Sequence, residues 1–154
     1  MKSIMYWFIG SILVLGLLTL GIALMPKGHP AVGLISGHLR PCPDSPNCVN
    51  SEGESTASAI KPLQFNDTVE QAWQRARHAV VSSGGRIQKE GPDYLWATFT
   101  TRWLRFVDDV ELVMDGEHHL IQVRSASRVG YSDFGVNRAR VEKLRQSFNR
   151  ASPD

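Results

Sequence analysis

The chain has 154 residues, of which 42% are apolar and 21% charged, and its formal net charge is +2. This length suits one domain with a short appendage and excludes a second large fold. With 13 glycines, 8 prolines and 2 cysteines, the composition excludes collagen-like, low-complexity and disulfide-dense chains. The balance of 17 basic against 15 acidic residues argues against a dedicated nucleic-acid-binding protein.

An uncharged apolar stretch opens the chain. Residues 4–25 carry no charge, and 22 residues in an α-helix would extend about 33 Å, enough for a hydrocarbon core of roughly 30 Å. Tyr6 and Trp7 carry the amphipathic rings that favour the headgroup region, and Pro26 ends the stretch. Because the exit lacks the small-x-small pattern of a cleaved signal peptide, the stretch predicts a transmembrane signal anchor over residues 1–26.

Two cysteines follow within a proline-rich segment. Cys42 and Cys48 lie close in sequence, and three prolines in residues 41–48 restrict the chain so that a small ring can close. A disulfide is the natural interpretation in an oxidising compartment. One alternative is two reduced thiols. The other is a metal site that includes His29 or His38, but the spacing of the two cysteines is unlike that of the usual zinc ligand pairs. Together, anchor and disulfide predict a single-pass protein of the inner (cytoplasmic) membrane, with its C-terminal domain outside the cytoplasm.

The remaining chain divides by composition into three parts. Residues 27–40 contain three glycines and a proline and predict a tether. Residues 41–150 predict one folded domain, and residues 151–154 form a tail. Within the domain, apolar residues recur at helical spacing after a capping box of Asp67 and Glu70, and this helix ends at a pair of glycines.

Four strand-like runs separate this helix from a second one. They cover residues 86–90, 94–101, 105–114 and 119–126, and the second helix starts near Asn137, a good N-cap. The order α-β-β-β-β-α predicts an α+β domain, with an antiparallel sheet and both helices packed on one face. The predicted fold is this domain preceded by the transmembrane helix.

Charge complementarity predicts the register of the last hairpin. If residues 115–118 form the loop, Leu112 lies opposite Ile121 and Asp109 lies opposite Arg124. A two-residue loop would place Asp109 against Gln122 instead. Opposite charges across a ladder are favourable, so the first register is expected.

Several motifs along the domain together resemble one known family. They are Cys-Pro-Asp-Ser-Pro-Asn-Cys-Val at 42–49, Asp-Asp at 108–109, Arg-Ser-Ala-Ser-Arg-Val-Gly at 124–130 and Asp-Phe-Gly-Val-Asn-Arg at 133–138. In type and order they resemble the uncharacterised family DUF1499, over most of residues 40–150. The resemblance implies a shared domain and no particular activity.

The polar residues after the last hairpin are the candidate ligand-binding residues. Residues 120–150 hold seven basic and two acidic side chains, and the loop leads into a helix N-terminus, which favours anions. Arginine binds carboxylate or phosphate through two parallel hydrogen bonds. Alternatively, these residues pair with one another and with Asp108 and Asp109, and only hold the sheet to the helix. The candidates are Arg124, Ser125, Ser127, Arg128, Asp133, Asn137 and Arg138.

Two functional hypotheses follow. The first is a non-enzymatic envelope module that binds an anionic small molecule, a lipid headgroup or an envelope protein. The second is a hydrolase- or transferase-like enzyme with Asp108 or Asp109 as general base and arginines that stabilise negative charge. Adjacent strand residues point to opposite faces, and the sequence contains neither G-x-S-x-G nor H-E-x-x-H. The sequence therefore favours the binding module and indicates no cofactor and no metal.

Overall fold

The computed structural model describes residues 2–24, 28–53, 57–102 and 104–151. Its elements in chain order are α1 (Lys2–Leu24), β1 (Cys48–Asn50), β2 (Leu63–Gln64), α2 (Val69–Ser82), β3 (Arg86–Glu90), β4 (Tyr94–Thr100), β5 (Val107–Asp115), β6 (Leu120–Ser127) and α3 (Val136–Arg150).

The N-terminal stretch forms helix α1. A helix crosses a bilayer only if it is both long enough and apolar enough, and no helix in the described part of the chain meets both requirements. The predicted transmembrane signal anchor is therefore wrong, and so is the fold class that included it. An uncharged run of residues is typical of a span, and here it was insufficient.

The remaining elements form an α+β domain built on an antiparallel sheet. Its strand order is β1-β6-β5-β4-β3, with β2 also paired to β6. The four longer strands lie close to the predicted ranges. The short strands β1 and β2 were not predicted, because three and two residues are too few to show an alternating pattern.

Both helices pack on one face of the sheet. Val110 and Leu112 of β5 lie in one buried cluster with Val80 of α2 and with Val141 and Phe148 of α3. Each large apolar side chain buried there stabilises the fold by about 1.5–3 kcal/mol. The helical spacing of apolar residues thus correctly predicted which side of each helix faces the sheet.

The start of α2 differs from the prediction. Thr68 is the N-cap: its hydroxyl accepts from the backbone N–H of Gln71, and the Gln71 side chain accepts from the N–H of Thr68. Asp67 instead accepts two hydrogen bonds from Arg75, at 2.6 and 3.0 Å. These bonds lower the pKa of Asp67. The predicted capping box of Asp67 and Glu70 is therefore wrong by one residue.

Helix α3 also begins differently. Its N-cap is Gly135, with φ of 82°, and Asn137 lies inside the first turn. The side chain of Asp133 accepts from the backbone N–H groups of Gly135 and Asn137, at 3.0 and 2.7 Å. Asp133 thus caps the first turn of α3, a role that the prediction gave to Asn137.

The opposite face of the sheet is covered by residues 28–40, here called the covering segment. Leu39 is buried and packs against Tyr94 and Val113. The backbone N–H of Gly33 donates to Glu111 at 2.7 Å, and the carbonyl of Ala31 accepts from Arg124 at 3.2 Å. The segment between α1 and the disulfide therefore contacts the sheet directly.

The last hairpin has a register different from both sequence-based alternatives. Glu111 pairs with Arg124, Leu112 with Val123 and Asp109 with Ala126. The predicted pairing is therefore wrong by two residues. A shift of two leaves each side chain on its predicted face, but it replaces Asp109 by Glu111 as the partner of Arg124.

Candidate functional site

A disulfide holds the loop that borders the site. Cys42 and Cys48 are bonded, with their Cα atoms 5.6 Å apart, which confirms the predicted disulfide. Cys48 begins β1 and pairs with Ala126 of β6. The bond therefore fixes the loop 42–48 beside the C-terminal half of β6.

Glu111 lies at the centre of a cluster of buried polar residues under the covering segment. Its carboxylate accepts from the hydroxyl of Tyr94 at 2.8 Å, from Nη1 of Arg124 at 2.9 Å and from the N–H of Gly33. Burial, followed by the bond to Glu111, raises the pKa of Tyr94. The tyrosine hydroxyl therefore stays protonated and remains a donor, which holds the carboxylate beside Arg124.

A second buried pair lies two residues earlier on β5. Nε and Nη2 of Arg128 each donate to one oxygen of Asp109 at 2.8 Å, and Nε1 of Trp96 donates to Asp109 at 2.8 Å. The hydrogen bonds to Asp109 raise the pKa of Arg128. This bidentate geometry restricts the guanidinium to one orientation.

A cleft of about 540 Å³ lies between the covering segment, the disulfide loop and β6. Three arginines line it: Arg40 of the covering segment, Arg124 of β6, and Arg128, which directly follows β6. His29 and Asp109 line it as well. A volume of this size lies in the usual range for small-molecule sites, roughly 300–1,000 Å³.

One donor at this cleft lacks an acceptor. Arg124 is 3% exposed, and its Nε makes no hydrogen bond with any described residue. A buried donor without a partner costs about 1–3 kcal/mol. The guanidinium of Arg124 therefore keeps hydrogen-bonding capacity that no described residue uses.

A separate polar network joins the sheet to α3. Asp108 faces α3 and accepts from Arg140. The side-chain oxygen of Asn137 accepts from Ser125 at 2.6 Å, and its amide donates to the carbonyl of Asn47 at 2.9 Å. All of these contacts lie on the helix-facing side, so they fix α3 against β6 and the disulfide loop.

The structure divides the predicted binding residues into three places. Arg124, Ser127 and Arg128 line the cleft. Ser125 and Asn137 are buried between β6 and α3. Asp133 and Arg138 lie on the far side of the disulfide loop, where Arg138 donates to the carbonyls of Ala57 and Ala59.

Three residues that matter to the cleft were not among the predicted ligand-binding residues. Arg40 and His29 come from the covering segment, whose position no local pattern predicts. Glu111 gave a usable signal, because it shares its strand face with Asp109 in the alternating pattern of β5. The incorrect register concealed its pairing with Arg124.

The two aspartates proposed for catalysis lie on opposite faces of the sheet. Asp109 lines the cleft, whereas Asp108 contacts Arg140 on the helix side. Both oxygens of Asp109 also accept hydrogen bonds from Arg128. This arrangement gives no support to the enzyme alternative, which needed Asp108, Arg124 and Arg128 in one cleft.

The comparisons with known proteins agree with the resemblance seen in the sequence. A family model described as "Protein of unknown function (DUF1499)" matches residues 38–148. The search of curated proteins finds no match. The matched range contains the six strands of the described sheet, α2, most of α3 and the three arginines of the cleft. Since it covers well over half of the chain, the protein belongs to the DUF1499 family.

Proposed function

We propose that this domain is a non-enzymatic binding module that holds a small anionic ligand in the cleft beside Arg124. The observation that carries the proposal is the buried Nε of Arg124, which lacks an acceptor among the described residues. A second arginine, Arg128, is held in place by Asp109, and Arg40 is exposed on the opposite wall.

Rigidity supports binding at this site. Arg124 is held by Glu111 and by the carbonyl of Ala31, and Arg128 is held through two hydrogen bonds. A ligand therefore meets donors whose conformational entropy has already been lost, which is the general basis of preorganised binding.

The test uses a substitution that does not disturb the buried pairs. Replacing Arg124 would leave Glu111 buried without its cation and destabilise the fold by about 3–5 kcal/mol. Arg40→Gln removes an exposed charge from the cleft wall, and Arg86→Gln, on the edge strand β3, removes an exposed charge elsewhere. We expect acetate or inorganic phosphate to shift the Arg124 Nε–Hε resonance of the full chain, and R40Q to weaken this binding at least fivefold.

The control variant decides between site binding and general charge effects. R86Q should bind as the unmodified protein does at matched ionic strength. If no anion shifts the Arg124 resonance, or if R86Q weakens binding as much as R40Q, the cleft is not an anion site and the proposal is wrong.

A further inference from the structure

The charges of the cleft indicate how many negative charges a ligand should carry. Arg124 is paired with Glu111, and Arg128 with Asp109. Arg40 donates from Nε to the carbonyl of Val32, a neutral group. The three guanidinium groups and two carboxylates thus leave one excess positive charge, which a monoanion balances.

The unused edge of Arg124 indicates how a charged group would be bound. Both hydrogen bonds that described residues accept from this guanidinium leave from Nη1, to Glu111 and to Ala31. The edge formed by Nε and Nη2 makes neither of these bonds. Its two parallel N–H groups match two oxygens of one carboxylate or phosphate group.

The walls of the cleft indicate the rest of the ligand. Ala31 and Ile35 of the covering segment, Pro43 of the disulfide loop and Ala126 of β6 all line the cleft. Ile35 is 46% exposed, so an apolar surface beside the charged groups remains open to solvent. An apolar chain packed against it would contribute about 25 cal/mol for each Å² removed from water.

We infer that the ligand is an amphipathic monocarboxylate, an inference that rests on the proposed function. Its carboxylate lies on the Nε–Nη2 edge of Arg124 with Arg40 nearby, and its apolar chain lies against Ala31 and Ile35. A phosphate monoester fits less well, because it carries nearly two negative charges at neutral pH, whereas these groups leave one excess positive charge.

The experiment compares four probes with the full chain, below their aggregation concentrations: acetate, octanoate, octyl phosphate and octanol. The Arg124 Nε–Hε resonance is the readout, which restricts the measurement to the cleft. We expect octanoate to bind at least tenfold more tightly than acetate and octyl phosphate, and octanol to leave the resonance unshifted.

Two matched variants test the apolar contact. Ile35→Ser should weaken octanoate binding at least fivefold and leave acetate binding unchanged. Leu34→Ser, at a position that is 36% exposed and does not line the cleft, should change neither.

The outcomes separate this inference from the proposed function. If octyl phosphate binds as tightly as octanoate, or acetate binds as tightly as octanoate, the monocarboxylate inference is wrong while anion binding stands. The same holds if I35S leaves octanoate binding intact. If none of the three anions shifts the resonance, both the inference and the proposed function are wrong.

Discussion

At the scale of single residues, Asn137 shows how one side chain holds three parts of the fold together. It is fully buried, and its amide donates to the carbonyl of Asn47 and to the hydroxyl of Ser127, at 2.9 and 3.0 Å. Its oxygen accepts from Ser125 at 2.6 Å. Only a carboxamide supplies donors and an acceptor in this arrangement, so the residue connects α3, β6 and the disulfide loop.

We predict that Asn137→Ala lowers the free energy of unfolding by about 2–4 kcal/mol. The substitution leaves the carbonyl of Asn47 and the hydroxyl of Ser125 buried with fewer partners, and each unsatisfied group costs about 1–3 kcal/mol. Urea denaturation followed by circular dichroism measures the change. Asn149→Ala, at an exposed position of the same helix, should cost less than about 0.5 kcal/mol. Equal stabilities of the two variants would contradict this role.

At the scale of structural elements, the covering segment behaves as part of the domain although it contains no helix and no strand. It covers the sheet face that carries Glu111 and Asp109, and its backbone forms hydrogen bonds with Glu111 and Arg124. Buried ion pairs need such further hydrogen bonds to offset their desolvation. The segment therefore provides both the environment of these pairs and one wall of the cleft.

We expect Leu39→Ala to destabilise the domain by about 2–3 kcal/mol, because Leu39 is 4% exposed and packs against Tyr94 and Val113. Leu34→Ala, in the same segment but 36% exposed, should change stability by less than about 1 kcal/mol. Thermal and urea unfolding of both variants provide the comparison. A segment that only tethers the domain would give two small, similar effects.

At the scale of the whole molecule, the domain is a sheet with two different sides. Helices α2 and α3 cover one side with mostly apolar contacts and the Asp108–Arg140 pair. The covering segment covers the other side, where apolar contacts lie beside two buried ion pairs. The disulfide loop lies where the two sides meet, beside β6, and it lines the cleft. The disulfide that closes this loop therefore affects both the stability of the domain and the shape of the cleft.

We predict that the double substitution Cys42→Ala, Cys48→Ala lowers the free energy of unfolding by about 2 kcal/mol, the value expected for a ring this small. The physical reason is the added freedom of the unfolded chain. Urea denaturation with and without dithiothreitol provides the check: the reductant should lower the stability of the unmodified protein to that of the double variant and leave the variant unchanged. Insensitivity of the unmodified protein to reduction would refute the prediction.

Local sequence patterns correctly predicted much of the structure of this molecule. Helical spacing of apolar residues identified α2 and α3 and their inner faces, and alternation identified the four long strands, since both periodicities follow from backbone geometry. The two cysteines, close in sequence among prolines, identified the disulfide. The motifs from Cys42 to Arg138 identified the family.

Local sequence patterns could not predict the features that depend on contacts between residues distant in the chain. The partner of Arg124, the placement of Asn137 and the short strands β1 and β2 are all decided by contacts between distant segments. The span expected of residues 1–26 was wrong for a different reason, since no helix in the described part of the chain is both long and apolar enough to cross a membrane.

The amino-acid sequence by itself therefore determined helices α2 and α3, the four long strands, the disulfide and the family, because each of these depends on neighbours or on a fixed local spacing. Only the tertiary structure decided which charges meet and where a cleft lies. Glu111 and Arg124 lie on different strands, and Gly33 lies 78 residues from Glu111 in sequence. Ion pairing and shape depend on distances in space, and folding sets those distances through the packing of the whole sheet.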